Sequence, residues 1–145
     1  MNRTPTRSIL IGYDGTEHSD RALRRAHQYA SELGAKLIVV TAELPVVTAV
    51  PPGLIAPVGA EYVPLKDVDV QAEDVIAQAR ELAGGAEHIA RVGTASEVIL
   101  DVADELDVDL IVVGTHEPGF LERLLRGSVS QHIARKATRD VLIVH

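Results

Sequence analysis

The chain has 145 residues, no cysteine and a net charge of −7. One domain spanning residues 1–145 is expected, large enough to bury roughly 68–70% of its unfolded surface without covalent staples. The lack of cysteine excludes disulfides and thiolate chemistry, and the acidic balance argues against nucleic acid, where neutralised phosphates supply most non-specific affinity.

Near the N-terminus, Arg3 and Arg7 precede only a short apolar run, Ile9–Ile11, too short for a signal-peptide core. No run approaches the roughly 20 apolar residues of a membrane span, so a soluble cytoplasmic protein is expected. Ser8 to Tyr13 reads as the first strand, closed by the turn pair Asp14-Gly15. Thr16 fits an N-cap, and Ala22, Leu23, Ala26, Ala30 and Leu33 recur at helical spacing up to the stop at Gly34. Lys36 to Ala42 is the second strand. Leu44 to Lys66 holds five prolines (45, 51, 52, 57 and 64) and reads as a long apolar loop, a flap on the core or a cover over a ligand or partner surface.

Asp67 to Ala83 reads as a helix ended by Gly84-Gly85, and Glu87 to Val92 as a third strand. Thr94 with Glu97 forms a capping-box pattern ahead of an amphipathic helix carrying Val98, Ile99, Val102, Ala103 and Leu106. Asp107 fits a left-handed position after that helix. Asp109 to Val113 is the fourth strand. Gly127-Ser128 opens a helix reaching about Ala137, with Ile133, Ala134 and Ala137 inward, and Asp140 to His145 is the fifth strand. Alternating strands and helices predict an α/β fold: an open parallel sheet of five strands, order 3-2-1-4-5, with helices on both faces. Ligands of such sheets bind beyond the strand carboxyl ends at the switch point, here between strands 1 and 4.

The stretch around the fourth strand carries the clearest chemistry. Leu110 to Val113 ends at Gly114, a loop follows, and Ser128 with Gln131 forms a second capping box. A helix start offers unpaired N–H groups and a positive dipole end, which together can hold a phosphate. Arg123, Arg126, Arg135, Lys136 and Arg139 cluster around it. They read either as cations placed near a helix C-terminus or as a field drawing an anion to Ser128.

These residues resemble the nucleotide-binding universal stress proteins, whose pattern here is Gly-x2-Gly-x9-Gly-Ser. Gly114, Gly127 and Ser128 stand at its spacings, while Glu117 replaces the second glycine. Leu-Ile-Val-Val-Gly-Thr-His before the loop, Leu-Leu-Arg-Gly-Ser-Val-Ser after it and Tyr-Asp-Gly-Thr-Glu-His-Ser after the first strand are also similar to that family. The resemblance implies a stress-response module that binds ATP, AMP or another adenine nucleotide, with Mg²⁺ or Mn²⁺ beside the phosphates. It implies base and ribose contacts from Gly12, Tyr13, Asp14 and the main chain of Ala42. Val113 and Gly114 would pack near the ligand, and Gly127, Ser128, Val129 and Ser130 would meet the phosphates. It also implies a homodimer through the last strand, Val141–His145, an apolar edge that is otherwise a pairing hazard.

Glu117 opens alternatives. A second negative charge about 4 Å from a phosphate repels it by about 4 kcal/mol at an effective dielectric of 20. The readings are therefore an adenine-nucleotide sensor, a nucleotide-free dimeric interaction protein closed by Glu117, or a cyclic AMP binder with one phosphate charge. His18, His27 and His116 show no metal-ligand spacing, and no lysine of a Walker A loop precedes Ser128. No nucleophile stands with a base, so no catalytic residue is assigned and slow ATP hydrolysis has no identifiable base.

Overall fold

A computed structural model describes residues 5–43, 65–115 and 129–145, without the side chains of 65–72. The Pro-rich segment and the loop holding His116, Glu117, Gly127 and Ser128 lie outside the described residues. Five strands, β1 (Ser8–Gly12), β2 (Lys36–Glu43), β3 (Glu87–Val92), β4 (Leu110–Gly114) and β5 (Asp140–Val144), form one parallel sheet. Their order is β3-β2-β1-β4-β5, as the alternation predicts. The helices are α1 (Glu17–Leu33), α2 (Leu65–Leu82), α3 (Ala95–Glu105) and α4 (Val129–Lys136).

Side-chain alternation along the central strands builds two cores. Ile9, Ile11 and Val39 pack with Leu23 and Ala26 of α1 and Ala79 of α2. Leu10, Val40 and Ile111 pack with Ile99 and Val102 of α3 and Ile133 of α4. Burial of each Val, Leu or Ile side chain contributes roughly 1.5–3 kcal/mol. Both faces of the sheet are covered, which explains apolar runs in place of alternation in β1 and β4.

Several local expectations shift. Helix α2 begins at Leu65, directly after Pro64, so Leu65 and Lys66 belong to it and not to the loop. Strand β1 stops at Gly12, although the Tyr13 N–H still donates to the Val40 carbonyl at 2.8 Å. Leu33 is 56% exposed because the 17-residue α1, about 25 Å long, outruns the five-residue strand beneath it. Leu106 falls beyond the last residue of α3 and is exposed as well. Ser130 and Ile133 turn inward from α4, Ala137 just past its end packs against the same core, and Ala134 sits on the flank, exposed. The Thr94 side chain makes no cap bond to the helix backbone; its hydroxyl donates to Glu97 Oε2 at 2.6 Å instead. Two expectations stand: Thr16 accepts from the Ser19 N–H, and Asp107 takes a left-handed φ of 49°.

The amino end of the sheet is tied by Asp109. Its Oδ2 accepts from the Arg7 N–H at 2.8 Å, the Ser8 N–H at 2.9 Å and the Ser8 hydroxyl at 3.1 Å. One carboxylate thus staples the starts of β1 and β4. The Arg7 backbone bond, helped by Ser8, outweighs desolvation and holds its pKa below the usual carboxylate value. Nearby, Arg139 bonds Asp107, Asp104 and the Val108 carbonyl. This corrects the reading of Arg139 as part of a field at Ser128: its guanidinium is spent on these groups at the amino end of the sheet.

Two predictions follow from these contacts. Asp109→Ala should destabilise the protein by about 1 kcal/mol at neutral pH. Because the folded pKa lies below the unfolded value of about 3.9, the contribution is full above that value and fades as pH falls through the folded pKa. Urea unfolding of both proteins across pH should therefore show a gap that closes only in acid. At the other end of β4, a Cβ on Gly114 would stand 2.6 Å from the His18 carbonyl oxygen. The obstacle is helix backbone, so Gly114→Ala should cost about 1–3 kcal/mol, read as a lowered urea midpoint.

Candidate functional site

The carboxyl ends of β1 and β4 adjoin at the switch point, because Ile11 pairs with Val112 in one direction and Gly12 with Val40 in the other. Beyond Gly12 the chain turns through Gly15, at φ 79°, into α1. Asp14 sits in that turn. Its Oδ1 accepts from the Thr16 N–H at 3.0 Å and the Thr16 hydroxyl at 2.6 Å, an Asx-turn. Ser19, buried below, receives the Asp14 N–H at 3.4 Å and donates its hydroxyl to the Thr16 carbonyl at 2.9 Å. Burial by itself would raise the Asp14 pKa, but the Thr16 and Ser19 hydrogen bonds overbalance it and hold the carboxyl below its ordinary value. Asp14 is therefore an ionised, exposed carboxylate on a braced turn.

Tyr13 is placed differently from its neighbour. Its ring is 3% exposed within the core under α1 and α2, and its hydroxyl donates to Asp20 Oδ1 at 2.6 Å. Burial first, then Asp20, pushes the phenol pKa up. Gln78 of α2 donates to both Asp20 oxygens, at 3.1 and 3.2 Å. The tyrosine side chain is thus occupied in bracing α1 against α2, and only its backbone faces the strand ends.

On the other face, Val113 is buried and Ala42 half-buried in the core under α3 and α4. Ala42 stands two residues past Val40, at the level where Asp14 leaves the sheet. Gly12 and Gly114 close the strands from opposite sides. A Cβ at Gly12 would run into Ile99 of α3, and one at Gly114 into the His18–Ser19 backbone of α1. Both glycines thus serve helix–strand packing. Val129 is exposed and Ser130 buried in the first turn of α4. The structure brings Gly12, Asp14, Ala42, Val113 and Gly114 to the carboxyl edge of three adjacent strands. Gly127 and Ser128 lie outside the described residues.

Arg135 and Lys136 sit in the last turn of α4, where cations suit the helix dipole, and not at its start. Sequence reading missed Ser19, Asp20, Gln78 and Thr115. Ser19 had a local signal, three residues after the Thr16 cap. Thr115 is buried, its N–H donating to the Val144 carbonyl at 3.0 Å, and it links the end of β4 to β5. Among the described residues no cluster of three or more His, Asp or Glu could hold a metal ion, and no helix is long and apolar enough to cross a membrane.

Known proteins share this architecture. The universal stress protein Rv1636 of Mycobacterium tuberculosis is 32% identical over 142 residues, covering 96% of each chain. A universal stress protein of Thermus aquaticus is 38% identical over 138 residues, covering 95% of this chain and 98% of its own. The solved structure of a universal stress protein in complex with cAMP is 30% identical, covers 98% of both chains and superposes with a TM-score of 0.70. A model of the universal stress protein family matches residues 5–145. By that match, over nearly its whole length, the chain belongs to the universal stress protein family.

Proposed function

We propose that this protein is a regulatory adenine-nucleotide-binding module of the stress response. ATP or AMP would enter the crevice at the ends of β1 and β4. The observation that carries the reading is Asp14: an ionised carboxylate braced by Thr16 and Ser19 at the switch point. A carboxylate so held accepts hydrogen bonds from ribose hydroxyls at little further ordering cost. Ala42 would offer main chain to the base, with Val113 as an apolar wall. Gly127, Ser128, Val129 and Ser130 would meet the phosphates at the start of α4, and Mg²⁺ or Mn²⁺ would bridge them. The solved relative with cAMP supports an adenine nucleotide and keeps the cyclic form in view. The protein would act in the cytoplasm by ligand-gated interaction without turnover.

The working unit would be a homodimer. Val141 to Val144 are half-buried on an edge strand with one side unpaired among the described residues. Pairing across a two-fold axis would satisfy that edge. A second reading rests on Glu117, which stands where the family pattern has glycine. In it the dimer is an interaction protein and the nucleotide site is closed.

Calorimetric titration with ATP, AMP and cyclic AMP, with and without Mg²⁺, separates the readings. The sensor predicts saturable binding by the natural protein, about 10–100-fold weaker in Asp14→Ala. Binding by Glu117→Gly alone would favour the closed interaction protein, and silence from both would end the nucleotide reading. Sedimentation should give one species at twice the 15.5 kDa chain mass; a monomer at micromolar concentration would remove the dimer from the account.

A further inference from the structure

Helix α1 carries Arg21, Arg24, Arg25 and Gln28. These positions are i, i+3, i+4 and i+7, the spacing of one helix face. With Val144 and His145 at the end of β5 they line an open cleft of about 300 Å³. None of the six is among the residues read above as nucleotide contacts.

The cleft is cationic and poorly compensated. Like charges at these helix spacings repel, yet the chain as a whole is acidic, at −7, with carboxylates available for pairing. Among the described residues Arg21 reaches Glu17, at 3.8 Å and 84% exposed, and the His18 Nδ1 at 2.8 Å. The Arg21 Nε is buried, with no hydrogen-bond partner among the described residues. Arg25 lies over the Tyr29 ring, 5.9 Å from its centre, which positions the guanidinium without neutralising it. Among the described residues neither Arg24 nor Arg25 has a carboxylate within ion-pair distance. Gln28 gives one N–H to Glu32 and has a second to offer.

We propose that this cleft binds a small oxyanion of the phosphate-ester class. Planar guanidinium forks match phosphate oxygens in pairs, and three of them on one helix face offer several such forks to one anion. The Gln28 amide adds a neutral donor, and Val144 gives an apolar wall for the body of an ester.

The test uses the full-length protein and inorganic pyrophosphate as the probe. NMR would follow the arginine Nε–Hε signals and the Gln28 side-chain amide, with the Ser130 backbone amide reporting the crevice at β1 and β4. The expected result is saturable shifts of Arg21 and Gln28, weakened about tenfold in R24A/R25A and weakened further by salt. Both side chains are exposed, and an unchanged unfolding midpoint would show that the variant keeps its fold. Charge reversal in R24E/R25E should abolish the saturable response. Shifts that stay linear with concentration, shifts equal in the natural protein and R24A/R25A, or saturation at Ser130 alone would each overturn the proposal.

Discussion

The contact between the first turn of α1 and Gly114 decides how the carboxyl end of this sheet is built. With any side chain there, the His18 backbone would have to withdraw. Its absence lets α1 descend onto β4 and holds the turn from Asp14 to Thr16 over the gap between β1 and β4. Gly12 does the same on the opposite face, where Ile99 of α3 fills the space a Cβ would take. Among the described residues the switch point of a doubly covered sheet is thereby flanked by helices on both faces.

Polar groups divide between the two ends of the sheet. At the amino end, Asp109 spends its charge on Arg7 and Ser8, and Arg139 spends its own on Asp104, Asp107 and the Val108 carbonyl, an arrangement that fixes strand starts. At the carboxyl end, Tyr13, Asp20 and Gln78 lock α1 to α2 beneath the turn. Asp14 is exposed above them, its Oδ1 engaged only within its own turn. A charged group placed where packing does not use it up is where ligand chemistry is expected. The cationic face of α1 follows the same logic one strand farther out, beside β5.

Much of this was legible from local pattern. Apolar runs of β-branched residues marked the strands, Gly34 marked a helix end, and strand–helix alternation led to the order β3-β2-β1-β4-β5. What local pattern misjudged was set by distant parts of the chain. Leu33 has helical spacing, but whether strand lies beneath it depends on the length of β1. Thr94 and Glu97 have capping-box spacing, yet the two side chains satisfy each other. Arg139 is near Ser128 in sequence but bonds the carboxylates of Asp104 and Asp107 at the amino end of the sheet. The need for glycine at 114 comes from a helix almost a hundred residues earlier. For the site, Asp14, Ala42 and Val113 were legible as strand ends, whereas the Ser19, Asp20 and Gln78 bracing arises only in the fold.

The central claim is that an adenine nucleotide occupies the carboxyl ends of β1 and β4. A crystal structure of the protein grown with saturating ATP and Mg²⁺ tests it most directly. The account predicts adenosine against Asp14, Ala42 and Val113, with phosphates at the start of α4 beside Ser130. Nucleotide density elsewhere on the molecule, or none at that edge, would contradict it.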